Sequence, residues 1–294
     1  MTALTDHYRL SGPVPFVDVD THDDTRLFLD PAKLRLTGPS DVQASAIRCL
    51  DSFLAAVTHA VIARDPAGSA LLKRFHEPSE THLGMSRAGA RGKGTADEMG
   101  QRLWSLMTTD LDALFRIGVI RRLEDLPAHM SGIADDLTSD IATRIIFAPL
   151  ADFTTQMIAA YPELGATTST VERLVWDPSG AAWRQQSMTL PTADGQPLLL
   201  VPHDWVRSTL MSSTRRYHWN AVLSYAQELQ ATVSDDGKII KPRKQALKKL
   251  APYALSTETN RRVTLEAHDA GRDLMTEFRA YIATFERAKR LERP

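Results

Sequence analysis

The chain has almost no cysteine and no long apolar run. Cys49 is the single cysteine among 294 residues, so an internal disulfide is excluded, and this usage is typical of a reducing compartment. No stretch approaches the roughly 20 consecutive apolar residues of a membrane-spanning helix. Residues 1–10 lack the apolar segment of a signal peptide. We therefore expect a cytoplasmic protein with no membrane partner.

Signature motifs of several enzyme classes are also missing. His76 and His82 are six residues apart with Pro78 between them, whereas the zinc-protease signature His-Glu-x-x-His places two histidines one helical turn apart. The glycines between residues 84 and 94 match neither a P-loop nor a dinucleotide-binding fingerprint. The Gly-x-Ser-x-Gly elbow of many hydrolases is absent. The sequence thus excludes the standard forms of these sites.

The net charge of −1 hides an uneven distribution. Residues 1–204 carry a net charge of −8 and residues 205–262 a net charge of +7. We expect an acidic α+β core over residues 1–204 that holds the functional site, and a basic helical region over residues 205–294 that packs on it. Such asymmetry indicates either an acidic site beside a polyanion-binding surface or two complementary faces.

The spacing of apolar residues predicts an α+β fold, predominantly helical with a small antiparallel β-sheet and a long C-terminal helix. Ser40 is a good N-cap for a helix of about 24 residues. A second helix is predicted over residues 95–117 and a third from about 132 to 158, with a kink or a break expected at Pro149. Strands are expected at residues 14–20 and 26–29, and in a β-element over residues 171–201; one final helix is expected over residues 263–285.

The segment from His76 to Thr95 combines carboxylates, glycines and cations. Glu77 and Glu80 could hold Mg²⁺ as catalytic metal ligands. Arg87, Arg91 and Lys93 lie among glycines whose backbone N–H groups can converge on an anion, so we predict that these cations bind phosphate. The alternative is a surface loop rich in small and basic residues.

A second acidic segment opens the third predicted helix. Asp136 and Asp140 are four residues apart, so they share a helical face and could complete a two-metal site with Glu77 or Glu80. The alternative is that these carboxylates only complement the positive end of the helix dipole.

A basic segment runs from Lys238 to Lys249 and is expected to be helical. We predict that Lys244, Lys248 and Lys249 contact the phosphate backbone of a nucleic acid without reading its bases. Binding of that kind weakens steeply with salt. A solvated helix face is the competing interpretation.

Three passages in a fixed order carry a resemblance. They are the acidic stretch from Phe16 to Asp20 that leads to Leu27–Pro31, the block from Glu77 to Gly94, and the block from Gly132 to Asp140. Their order resembles uncharacterised bacterial proteins found beside antiphage defence genes, over roughly the first two thirds of the chain. The resemblance implies nucleic-acid or nucleotide chemistry and transfers no catalytic residue.

Two functions from different classes follow. The sharper hypothesis is an antiphage-defence-type protein that acts on a nucleic acid or nucleotide, as a Mg²⁺-dependent nuclease or phosphodiesterase, with Glu77, Glu80, Asp136 and Asp140 as metal ligands. The alternative is a non-catalytic subunit of a multiprotein complex or a homo-oligomer, since the apolar stripe of the final helix could pack on another chain.

Overall fold

The structure is a computed structural model that describes residues 2–84 and 96–291, with side chains described to residue 288. In this part of the chain the helices are α1 Leu4–Tyr8, α2 Pro31–Leu36, α3 Asp41–Ala63, α4 Ser69–Leu72, α5 Ala96–Thr109, α6 Asp112–Arg116, α7 Leu126–His129, α8 Asp135–Ile145, α9 Phe147–Ala160, α10 Thr214–Tyr217, α11 Leu223–Leu229, α12 Lys244–Leu247, α13 Thr257–Asp269 and α14 Leu274–Leu291.

Short antiparallel sheets accompany the helices. The strands are β1 Phe28–Leu29, β2 Thr168–Asp177, β3 Ala182–Ala193, β4 Gln196–Pro197, β5 Val206–Arg207, β6 Thr232–Val233 and β7 Ile239–Ile240. They pair as β1 with β5, β2 with β3 and β4, and β6 with β7, each antiparallel. The predicted α+β class, dominated by helices and ending in a helix, is confirmed.

The chain forms two compact units. Unit 1 comprises Met1–Thr108 and Ala134–Leu210, and unit 2 comprises Thr109–Ile133 and Met211–Pro294. The predicted regions 1–204 and 205–294 differ from these units chiefly because residues 109–133 belong to unit 2. Charge asymmetry could not reveal that insertion, since it depends on packing between distant parts of the chain.

Two strands expected near the N-terminus form differently. Residues 14–20 make only isolated bridges, from Phe16 to Pro202 and from Asp20 to Ala3, so they are extended chain rather than a strand. Phe28–Leu29 pairs with Val206–Arg207 and not with residues 14–20. The partners of Phe16 and Phe28, Pro202 and Arg207, follow 186 and 179 residues later in the chain, beyond what local alternation can predict.

The helix bounds follow capping and proline chemistry. Ser40 accepts a hydrogen bond from the Gln43 N–H and starts α3, as predicted. The break in the third predicted helix falls at Ile146, so Pro149 is the third residue of α9. Proline is tolerated there because the first N–H groups of a helix have no intrahelical partner.

The expected C-terminal and basic helices are both interrupted. Gly271, with a φ of +78°, ends the turn after α13, so the predicted helix over residues 263–285 is two helices. The predicted helix over Lys238–Lys249 was wrong for most of its length, because Ile239–Ile240 is a strand and only Lys244–Leu247 is helical.

Helix α3 lies in the core of unit 1 beside an aromatic cluster. Phe53 on α3 meets Trp176 of β2 and Phe75 edge to face, with ring centroids 5.0 and 5.6 Å apart. The Trp176 indole N–H donates to Ser52 Oγ at 2.8 Å. Edge-to-face pairs of this kind stabilise beyond their buried area, and they fix the β2–β3 hairpin on α3.

Helix α3 is the one helix among the described residues that is long and apolar enough to cross a membrane by length and composition. Core helices meet the same criterion, and the α3 side chains Leu50, Val57 and Val61 are fully buried within unit 1.

Unit 2 is organised around a buried ion pair. Asp125 accepts from Arg279 through both oxygens, Nε to Oδ1 at 3.0 Å and Nη2 to Oδ2 at 2.6 Å. Asp125 Oδ2 also accepts from the backbone N–H groups of Arg121 and Arg122. The bidentate geometry and these extra donors satisfy the carboxylate away from water, so the pair fixes α14 beside residues 121–125.

His129 is a buried titratable group of unit 2 with a large pKa shift. Its ring is fully buried, and neither ring nitrogen has a hydrogen-bond partner among the described residues. Burial, followed by the nearby charges of Arg261 and Arg279, lowers the pKa of His129 to about 3. Between about pH 6.5 and pH 3 the ring therefore stays neutral in the folded protein, whereas the unfolded chain would protonate it.

This burial predicts a loss of stability in mild acid. The unfolded histidine protonates near pH 6.5 and the folded one does not, so the free energy of unfolding should fall below pH 6.5 by about 1.4 kcal/mol per pH unit, or about 2 kcal/mol at pH 5. His129→Phe keeps an aromatic ring beside Tyr217 and removes the titrating group. The slope of the free energy of unfolding against pH should therefore decrease by the contribution of one proton. Urea unfolding between pH 7 and 5 measures the slope.

His203→Phe is the matched control, because it makes the same substitution at an exposed histidine of unit 1. If His129→Phe fails to fold, NMR titration of the ring carbons in the unaltered protein gives the same information. A His129 ring that titrates near pH 6 would contradict the assignment.

A candidate anion site beside helix α8

The segment that ends at Gly84 is held in a fixed turn. His82 has a φ of +49° and Gly84 a φ of +136°. The Thr25 N–H donates to the His82 carbonyl at 2.8 Å, and the Gly84 N–H donates to the Thr25 carbonyl at 3.0 Å. Because a φ near +136° is open to glycine and strained for other residues, Gly84 is required for this turn.

The two glutamates of this segment face different environments. Glu77 is exposed, whereas Glu80 is only 7% exposed and lies in the turn Ser79–Thr81. The Glu80 backbone carbonyl accepts from the Leu199 N–H at 2.7 Å. The sequence analysis gave both glutamates the same role, as metal ligands. The turn instead places Glu77 in solvent and Glu80 in the interior.

Residues 80–84 lie alongside α8. A Cβ added to Gly84 would be 3.2 Å from Asp136 Oδ1 near the start of α8, and Glu80 interacts electrostatically with Arg144 near its end. Asp136, Asp140 and Arg144 are spaced by four residues and share one helical face. The turn therefore lies beside Asp136 at the start of this face and beside Arg144 near its end.

Glu80 already has a cationic partner. Arg173 on β2 donates from Nε to Glu80 Oε1 at 2.5 Å, and its Nη1 donates to the backbone carbonyl of Glu172 at 3.0 Å. Charge-assisted hydrogen bonds of this length are the strong ones in proteins. The pair connects β2 to the turn before Gly84 and neutralises the Glu80 carboxylate.

Arg144 is buried without such a partner. Its side chain is 6% exposed, and its Nε has no hydrogen-bond partner among the described residues. The guanidinium lies over the Phe147 ring, with Cζ 5.1 Å from the ring centroid. Burial lowers the pKa of Arg144; the Glu80 charge opposes that shift and the Arg173 charge adds to it. Arginine nevertheless stays protonated in proteins, so a positive charge is buried here.

The three charged groups together are unbalanced. Arg144 and Arg173 contribute two positive charges and Glu80 one negative charge, so these three groups alone carry one positive charge in excess. Asp140 and Asp136 lie one and two turns before Arg144 on α8 and are not included in this sum. A buried charge that is not fully paired raises the free energy of the folded protein by several kcal/mol. The cluster can lower that free energy by taking up one anion, which would receive the unsatisfied Nε–H of Arg144.

The predicted magnesium ligands do not form a described metal centre. Within residues 2–84 and 96–291, no group of three or more His, Cys, Asp or Glu side chains is arranged to hold a metal ion. Glu80 is paired with Arg173, Glu77 is exposed, and Asp136 and Asp140 each have interaction partners. A site that combines all four carboxylates therefore gains no support from this geometry, and Mg²⁺ stays a prediction.

The predicted phosphate ligands Arg87, Arg91 and Lys93 lie outside the described residues. The three lysines predicted to bind nucleic acid lie in unit 2 and differ in role. Lys244 Nζ donates to the Trp219 carbonyl and to Ser224 Oγ, each at 2.8 Å. Lys248 and Lys249 are exposed. Lys244 is thus tied to its own unit, and only the other two lysines present their charges outward.

The sequence analysis missed Arg144 and Arg173. One local signal for Arg144 existed, since it is the only charged residue in the otherwise apolar run from Ile141 to Leu150 and lies four residues after Asp140. Arg173 follows another charged residue, Glu172, on a predicted strand, and such a pair gives no signal of a buried contact. Its approach to Glu80, 93 residues earlier, has no local signature.

Unit 1 also contains an open groove of about 850 Å³ near the start of α3. Polar side chains of Ser40, Asp41, Gln156, His203 and Asp204 line it together with Trp205 and Phe153. The volume suits a small molecule, but its acids and its histidine favour no particular ligand charge. The buried cluster at Arg144 is more specific, because its cation favours an anionic ligand.

The comparisons with known proteins identify the family of this chain but no activity. The family described as Domain of unknown function (DUF8370) matches residues 11–213, and the chain belongs to this family. Neither the search of curated proteins nor the search of solved structures found a match. Glu80, Arg144 and Arg173 all lie inside the matched region, so the cluster is part of the family domain.

The ion pair predicts that substitutions of Glu80 and Glu77 differ in their effect on the free energy of unfolding. Glu80→Gln weakens a largely buried pair and increases the excess positive charge, so the free energy of unfolding should fall by about 2–3 kcal/mol. Glu77→Gln changes an exposed side chain and should alter it by less than about 0.5 kcal/mol. Urea denaturation of both variants measures the difference.

Adding Arg144→Met to Glu80→Gln removes one cation from the cluster and should restore part of the lost stability, because the two side chains interact. Equal stabilities of Glu77→Gln and Glu80→Gln, or an additive double variant, would refute this account of the cluster.

Proposed function

We propose that this protein binds a phosphate-bearing ligand, a nucleotide or a nucleic-acid strand, and that Arg144 receives a phosphate group. One observation carries the proposal: a buried guanidinium whose Nε–H is unsatisfied, in a cluster with one positive charge in excess. Interior groups of this kind are expected to be paired, so an unpaired one points to a function.

Phosphate fits the donors of this cluster. A guanidinium presents a planar fork of N–H groups that matches two oxygens of one phosphate, and it is less strongly hydrated than an ammonium group. Arg173 supplies a second cation and is held in place by Glu80. The sequence just after Gly84 adds Arg87, Arg91 and Lys93, which we predict to contact further phosphate oxygens.

A catalytic role is the stronger form of the same hypothesis. Mg²⁺ held by Glu77, Glu80, Asp136 and Asp140 would make the protein a nuclease or phosphodiesterase. The pairing of Glu80 with Arg173 favours phosphate binding over metal binding at that carboxylate, so we rest the proposal on binding. A part in antiphage defence follows only from the resemblance of the sequence and stays a prediction.

The proposal predicts that Arg144→Met separates binding from stability. Without ligand, the variant should be at least as stable as the unaltered protein, because it removes a buried cation that lacks a full partner. Its affinity for phosphate should fall by a factor of about 10 to 100, the loss expected for a charge-assisted hydrogen bond. Calorimetric titration with inorganic phosphate and with a nucleoside 5′-monophosphate measures the affinity.

Arg184→Met is the matched control, since Arg184 is an exposed arginine on β3 whose nearest carboxylate oxygen, on Asp177, is 3.8 Å away. It should leave phosphate affinity unchanged. Thermal denaturation in phosphate against chloride of equal ionic strength tests the same point, because a ligand that binds the folded state raises the melting temperature. Equal phosphate affinity of the Arg144→Met variant and the unaltered protein would overturn the proposal.

A further inference from the structure

A short β-hairpin of unit 2 exposes apolar side chains. The hairpin, here called the arm, comprises residues 232–240 and consists of β6, a turn and β7. Val233 and Ile239 are each 70% exposed and Ile240 is 54% exposed. Isolated exposed apolar residues are ordinary, but three on one nine-residue hairpin mark an interaction surface.

The apolar side chains cover both faces of the arm. Val233 pairs with Ile239 and Thr232 with Ile240 in the antiparallel register. Because successive residues of a strand point to opposite faces, Ile239 and Ile240 point in opposite directions. One face of the arm therefore carries Val233 and Ile239, and the opposite face carries Ile240.

The charges at the two ends of the arm are opposite. The turn carries Asp235 and Asp236, both exposed, with Asp236 paired to Lys238 at 2.7 Å. The chain that follows the arm carries exposed Arg243, Lys248 and Lys249. The arm thus has an acidic tip, an apolar middle and a basic base.

The base of the arm is firmly attached to unit 2. Lys244 Nζ donates to the Trp219 carbonyl and to Ser224 Oγ, and Gln227 Nε2 donates to the Pro242 carbonyl at 2.6 Å. Leu247 is buried with Leu223 of α11. These contacts hold the basic residues in a constant position relative to the arm, as a binding surface requires.

We infer that the arm pairs with the arm of a second copy of this chain. Two arms packed antiparallel about a twofold axis place each acidic tip against the basic base of the other copy. The same arrangement brings the apolar middles together. A twofold interface must be complementary to itself, and a surface with opposite charges at its two ends meets that condition.

Other occupants fit the arm less well. A nucleic acid or an anionic bilayer would attract the basic base, but either would repel Asp235 and Asp236 at the tip. A bilayer would also require the charged turn to enter first. The second copy accounts for both signs of charge and for the exposed isoleucines.

The small size of the arm sets the expected strength. Nine residues bury less surface than a standard interface, so we expect weak association, with dissociation constants of roughly 10–100 µM. Charge pairs at the two ends should make association weaker in high salt. This inference concerns unit 2 and does not depend on phosphate binding at Arg144.

Charge reversal tests the pairing directly. Asp235→Lys/Asp236→Lys gives a basic tip that faces a basic base, and Lys248→Glu/Lys249→Glu gives an acidic base that faces an acidic tip. Each variant alone should lose self-association at least tenfold. An equimolar mixture should associate again, because both contacts between unlike chains then join opposite charges. Sedimentation equilibrium of the full chain up to about 200 µM covers the expected range.

Ile239→Ser/Ile240→Ser leaves the charges of the arm unchanged. This variant should self-associate more weakly than the unaltered protein, because it removes apolar contacts. Circular dichroism of every variant checks that the fold is retained. An unaltered chain that stays monomeric at the highest concentration would overturn the inference. So would a mixture of the two reversed variants that stays monomeric, or binding of DNA or anionic vesicles that disappears in Lys248→Glu/Lys249→Glu.

Discussion

The pairing of Glu80 with Arg173 is the interaction on which the candidate site depends. It joins the turn before Gly84 to β2, and the Glu80 carbonyl joins the same turn to Leu199. Because Arg173 takes the one carboxylate of this cluster, the positive charge of Arg144 is left without a full partner. The pair therefore joins the turn to β2, while the Arg144 Nε–H has no partner among the described residues.

The sequence predicted the helices and turns whose bounds depend on residues close together in the chain. Ser40 and the apolar stripe of α3 predicted that helix, and the turn residues 177–180 predicted the β2–β3 hairpin. The extended chain at residues 14–20 and the place of residues 109–133 in unit 2 were not predicted, because they depend on contacts between residues far apart in sequence.

The candidate site of the structure overlaps only partly with the site residues predicted from the sequence. Gly84 lies beside Asp136 at the acidic start of α8, and Glu80 belongs to both sets. The sequence analysis assigned the chemistry to carboxylates and a metal, because paired acids at helical spacing are visible in a sequence. Arg144 is left unsatisfied because the nearby Glu80 pairs with Arg173 instead. This arrangement can be recognised only in the folded chain. The same holds for Lys244, whose charge is turned inward.

The central claim is that the Arg144 cluster takes up a phosphate-like anion. Crystals of the protein soaked in arsenate, an anomalously scattering analogue of phosphate, test it most directly. The account predicts an arsenic peak within about 4 Å of the Arg144 guanidinium, with the Glu80–Arg173 pair unbroken. An Arg144 guanidinium that is fully hydrogen-bonded to protein groups, with no arsenic peak beside it, would contradict the account.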